Sequence, residues 1–97
     1  MDDVEFSWDA RKVRQNLQKH KVSFEEATTV FYDENAIEFF DPDHSIDEDR
    51  FLMLGLSGRL RIMVVNYCLR KRGLEIRIIS ARKATKKEEQ VYIEGKK

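Results

Sequence analysis

One proline, four glycines, two histidines and a single cysteine are all that this 97-residue chain carries of the residues that most often mark turns, phosphate cradles and metal centres. Each scarcity excludes something. Cys68 has no partner for an internal disulfide, and its setting between Val64 and Leu69 makes it a small buried hydrophobe. His20 and His44 stand far apart, without the Cys, His or Asp spacing of a zinc site. The scattered glycines form no phosphate-cradling loop. The acidic run Asp41, Asp43, Asp47 and Asp49 lacks the turn glycine and the correctly placed glutamate of a calcium loop, so it is read as a solvated loop. No metal and no cofactor are expected. No apolar run approaches the roughly 20 residues that cross a bilayer, and the acidic Met1-Asp-Asp start has no basic leader. No membrane association and a cytoplasmic location are the expectation.

What is present is a folded composition with an uneven charge distribution. A 41% hydrophobic content with ten aromatics argues for a packed core, and the length argues for one domain over residues 1–97. Residues 59–97 carry twelve cations and four anions, a net of +8, while residues 1–58 carry a net of −8. The chain is neutral only in total. A half this rich in Lys and Arg is the footprint of a phosphate-bearing or acidic partner.

Residue patterning predicts an α+β fold. Asp9 is placed to cap a helix through about His20, with Trp8 packing back on Val13 and a stripe of Ala10, Val13, Leu17 and His20. Ser23 and Glu26 form a capping box for a second helix of about nine residues. From Ala36 the pattern becomes strand-like: Ala36 to Phe40, Arg50 to Leu56, Leu60 to Leu69 and Leu74 to Ser80 are rich in β-branched, aromatic and aliphatic residues. Turn signals at Ser57-Gly58 and at Lys71 to Gly73 join the last three into an antiparallel meander. Thr85 and Glu88 form another capping box, opening a short C-terminal helix. The expected architecture is two N-terminal helices packed on a twisted antiparallel sheet of about four to five strands.

Chemistry would have to come from arginines and nearby proton carriers. Arg77 sits between apolar neighbours on the last strand, opposite in facing to Ile76 and Ile78. Its guanidinium offers five donors in a planar fork that matches a carboxylate or a phosphodiester. An ion pair is the structural alternative. Arg82 falls near the strand end, and Glu48-x-Arg50 is either a base with a phosphate clamp or a salt bridge.

These residues also carry a resemblance. Phe6 to Asp9, Lys12 with Asn16, Lys19-His20, Val22 to Ala27, Val30-Phe31, Asp33, Glu48-x-Arg50, Gly55 and the run Ile76 to Thr85 with Glu88 and Tyr92 resemble the BrnT family of toxins over nearly the whole chain. One departure is Lys21, where that family usually has glycine at the helix end. The resemblance implies a RelE-like fold and a ribonuclease that blocks translation by cutting RNA. It also implies silencing by a BrnA-type antitoxin, possibly as a 2:2 complex that meets DNA only through the antitoxin. It matches the polar residues Lys12, His20, Glu48, Arg50, Arg77, Ser80, Arg82, Glu88 and Tyr92. Of these, Arg77 and Arg82 are expected to clamp the scissile phosphate, Arg50 to support it, and Glu48 or His20 to move protons. His20 has a second reading, as a cation at the helix C-terminus. Lys12, Lys83, Lys86 and Tyr92 are expected to contact RNA. Ser80 is expected to bond backbone and Glu88 to act as a cap. The rival function is a noncatalytic module whose basic half docks an acidic protein or a nucleic-acid backbone.

Overall fold

Side-chain caps set where the N-terminal helices begin. Asp9 has extended backbone angles and accepts the Arg11 amide at 2.9 Å, starting α1 (Ala10–His20). Ser23 accepts the Glu26 amide at 3.0 Å and starts α2 (Phe24–Thr29), which a 3-10 turn, Val30–Tyr32, prolongs to the expected nine residues. Only half of the predicted capping box forms here. The Glu26 carboxylate is buried and turns instead to the Arg61 guanidinium and the Ser57 hydroxyl, and the bond to Arg61 keeps it well below the usual carboxylate range. Between the helices, Lys21 adopts φ +61° and ψ +32°, and its amide donates to the Leu17 carbonyl. This is the left-handed cap that glycine occupies most cheaply.

The computed structural model describes residues 4–95; the acidic start and the terminal cations Lys96 and Lys97 lie outside them. Its strands are β1 (Glu5–Ser7), β2 (Ile37–Phe40), β3 (Arg50–Leu56), β4 (Ile62–Arg70) and β5 (Glu75–Lys83), followed by α3 (Lys86–Gly95). They form one sheet in the order β1-β5-β4-β3-β2. Strands β3 to β5 are the expected antiparallel meander, β2 extends it beyond β3, and β1 joins β5 in parallel, with Phe6 opposite Ile76, so the sheet is mixed. A parallel neighbour needs a long return path, and the helices and meander supply it.

Because β1 ends at Arg77's partner Ser7, the rest of β5 has no strand beside it on that edge. Helix α1 takes the place, with Asn16 bonding the Ala81 backbone. This corrects the predicted helix stripe. Val13 packs on the core and Asn16 is buried, whereas Ala10 and Leu17 are exposed, because unmet backbone groups on a sheet edge demand a polar partner more strongly than Leu17 demands burial.

Two apolar layers sandwich the sheet. Val22, Phe24, Ala27 and Val30 pack on Met63, Val65, Tyr67, Ile76, Ile78 and Ala81 on one side. On the other, Tyr92 of α3 closes a smaller cluster with Leu54 and Val64. Gly55 is required between them and the first layer, since a Cβ there would stand 2.8 Å from a Val30 methyl and 2.9 Å from the Ala36 methyl. The α3 side leaves much of its sheet face open.

Strand β5 is not regular. Ile78 pairs with Tyr67 and Ser80 with Asn66, so Ile79 is an extra residue in the ladder, a β-bulge. Simple alternation would put Arg77 and Arg82, five residues apart, on opposite faces. The bulge puts them on the same one.

Candidate functional site

The open face is built from three cross-strand rows. Arg50, Cys68 and Arg77 are directly paired across β3, β4 and β5; Leu52, Asn66 and Ser80 form the next row, and Leu54, Val64 and Arg82 the third. Strand spacing places Arg50 and Arg77 about 10 Å apart at the backbone, and the four residues from Cys68 to Val64 place Arg82 about 13 Å further along. An extended run of nucleotides could span such a surface.

Arg77 is half-buried and makes no hydrogen bond or ion pair among the described residues. No carboxylate among the described residues lies within ion-pair distance of it, although the Asp9 and Glu75 carboxylates are close enough to feel its charge. Arg50 does have one: its guanidinium lies 3.7 Å from Glu48, which is also 3.7 Å from Arg70, while the buried Arg50 Nε is unbonded among the described residues. Cys68, between the two arginines, is fully buried, and burial pushes its thiol above the ordinary range, as befits an inert spacer.

Arg82 is held differently. Its two terminal nitrogens reach the two Glu88 oxygens at 2.7 and 2.9 Å. Glu88 also accepts the Thr85 amide at 2.8 Å while the Thr85 hydroxyl accepts the Glu88 amide, completing the predicted capping box. With Arg82 beside it the Glu88 carboxyl is held at about 2. Glu88 is thus both the cap expected of it and a brace that fixes the Arg82 fork at the rim.

A groove of about 490 Å³ runs between α1 and this face. Lys12, Lys19 and His20 line it from the helix, and Asn66, Ser80 and Arg82 from the sheet. Sequence-distant candidates Lys12, His20 and Arg82 thus converge, Arg77 lies on the same face, and Glu48 with Arg50 forms its far end. The expected roles of four residues change. Tyr92 is buried and its hydroxyl donates to Asp33 at 2.6 Å, with burial pushing the phenol up to about 12, so it joins the core rather than the basic face. Lys83 falls in the Met63 row, which belongs to the helix-covered side, and Lys86 is exposed on the first turn of α3; neither lines the groove. The Ser80 hydroxyl has no hydrogen bond among the described residues and faces the groove instead of bonding backbone. Lys19 and Asn66 are additions. A polar residue inside the aliphatic run Ile62 to Leu69 was the available signal for Asn66. Among the described residues no three His, Cys, Asp or Glu side chains converge as metal ligands, and no helix is long and apolar enough to cross a membrane.

A small α+β protein with an open face of arginines, lysines and a histidine fits the class that comparison returns, a ribonuclease toxin of a type II toxin–antitoxin system: the family model so described, for BrnT, matches residues 8–88. The chain belongs to the BrnT family. Its substrate is accordingly RNA and its natural partner an antitoxin, and the noncatalytic-module reading gives way. Among solved structures it is similar to the 1.1 Å crystal structure of the Brucella abortus ribonuclease toxin BrnT, at 21% identity and a TM-score of 0.65, over 86% of this chain and 99% of that one. At that identity the likeness establishes the fold. No curated protein matches the chain.

Proposed function

We propose that the chain acts as a single-domain, cytoplasmic, metal-independent endoribonuclease in which RNA supplies its own nucleophile. The 2′-hydroxyl oxygen attacks the adjacent phosphorus, the bond from phosphorus to the 5′-oxygen breaks, one proton leaves the 2′-oxygen for a base and another reaches the departing 5′-oxygen from an acid. Arg77 and Arg82 hold the phosphate oxygens as negative charge grows on them, and Arg50 supports them, work that permanently charged forks do in place of a metal ion. Glu48 beside Arg50 and His20 beside Arg82 flank the path and move the protons. The observation that carries this reading is Arg77: a half-buried guanidinium that makes no hydrogen bond or ion pair among the described residues, on an open face that it shares with Arg50 and Arg82.

The partner in this reading is a BrnA-type antitoxin whose toxin-facing element brings acidic residues to the same face, in an assembly of two toxins and two antitoxins that reaches DNA only through the antitoxin. The test is cleavage of RNA by the purified chain in excess EDTA. Cleavage should persist, leave a 2′,3′-cyclic phosphate on the upstream fragment, and fail on RNA carrying a 2′-methoxy group at the cut position. Loss of cleavage in EDTA with recovery on added Mg²⁺ or Mn²⁺ would refute it, and so would equal cutting of DNA.

A further inference from the structure

On the open face of β4 the side chains are Ile62, Val64, Asn66, Cys68 and, at the strand end, Arg70; between Ile62 and Cys68, Asn66 is the one polar side chain. It is half-buried in the centre of the sheet, and its carboxamide has no hydrogen bond among the described residues. The hydroxyl of its cross-strand neighbour Ser80 is also without a hydrogen bond among the described residues. A carboxamide set among apolar neighbours without a partner destabilises a strand that valine would suit better. Asn66 also occupies a special position. It lines the groove with Lys12, His20 and Arg82, and it lines the smaller cavity with His44 and Arg50. The two cationic ends of the face therefore meet over this side chain.

We propose that Asn66 reads a nucleobase of the bound RNA, with Ser80 beside it completing the floor. Resting on the reading that RNA lies along this face, the arginines at either end hold phosphates, and the nucleotide between them lies over Asn66. Phosphate contacts of this kind fix position and carry no sequence information. A carboxamide presents a donor and an acceptor side by side and can pair with a base edge through two bonds, discriminating by on the order of tenfold or more. Asn66 is thus a specificity-determining residue of the cleavage reaction.

The test uses the full chain and short 2′-methoxy RNA oligomers that differ in one base, so that binding is measured without cutting, together with the distribution of cuts in an RNA of randomised sequence. Wild type should prefer one base at a single position by about tenfold. Asn66→Val should fold with an equal or higher melting temperature and reduce that preference to about twofold or less. Asn66→Asp, an acceptor only, should move the preference toward cytosine, whose N4 amine is a donor. An Asn66→Val protein that keeps the wild-type cut distribution overturns the proposal, as does one that loses affinity equally for every base, or a wild type with no preference. Arg77→Ala on the same oligomers separates the two readings: unchanged affinity there refutes the RNA path itself, whatever Asn66 does.

Discussion

The Asn16 carboxamide makes with Ala81 the two hydrogen bonds that a neighbouring strand would have made: Nδ2 donates to the Ala81 carbonyl at 2.9 Å, and the Ala81 amide donates to Oδ1 at 3.1 Å. The same Nδ2 donates to the Val22 carbonyl at 2.9 Å. One side chain thus ties α1, the start of α2 and the free edge of β5 together, and α1 is the wall that carries Lys12 and His20. Asn16→Ala should lower the unfolding free energy by about 2–4 kcal/mol, because it strands buried backbone groups as well as removing bonds. Urea denaturation measures this, and a midpoint shifted by only a few tenths molar would show that water replaces the amide.

Arg77→Ala and Arg82→Ala should both abolish growth inhibition, with cleavage reduced by on the order of 100-fold or more. They should differ in stability. Among the described residues Arg77 gives up no hydrogen bond or ion pair, only a longer-range attraction to Asp9 and Glu75, so its variant should melt close to wild type, whereas Arg82→Ala also unbraces Glu88 and the start of α3. Circular dichroism melts alongside cleavage rates make the comparison. An Arg77→Ala protein that unfolds would make that arginine structural.

Acid should weaken the α3 attachment in a defined window. The Glu88 carboxyl lies at about 2 in the folded chain, against an ordinary 4.5, chiefly through its bond to Arg82. A carboxyl depressed by folding adds stability that is complete above its unfolded value and disappears as pH falls through the folded one. Glu88→Gln should therefore be less stable than wild type at neutral pH, by about 1 kcal/mol or less given the solvent around the pair, and the gap should close between roughly pH 4.5 and 2. Melting curves across that range decide it; a pH-independent gap would assign the loss to the cap alone.

Lys21→Gly should stabilise the chain by about 0.5–1 kcal/mol, since glycine reaches the observed φ of +61° without a Cβ clash. A rise in melting temperature with unchanged cleavage is the expected result. A fall would show that the Lys21 side chain contributes more than its backbone strain removes.

Local chemistry made much of this fold legible. Strand Arg50–Leu56 is bounded as its flanking turn residues indicate, and Asp9, Ser23 and Thr85 mark helix starts because a cap is a contact between near neighbours. Contacts between distant segments were not legible. Nothing in the sequence announces that β1 lies parallel to β5, that Asn16 rather than Leu17 turns inward, or that Asp33 draws the Tyr92 hydroxyl into the core. The site divides in the same way. The cations could be read from composition and the Arg77 facing from alternation, but that His20 and Arg82 line one groove depends on where a helix lands along a sheet edge.

The bulge at Ile79 also makes β5 unequal in its tolerance of changes in length. Removing Ile79 would restore a regular ladder, with Arg77, Ser80 and Arg82 still pointing out and Ile78 and Ala81 still pointing in. Adding a residue elsewhere between Arg77 and Arg82 would shift the phase of everything after it, sending Arg82 toward the apolar layer and Ala81 toward solvent. Natural or engineered variants of this strand should therefore be found one residue shorter far more readily than one residue longer.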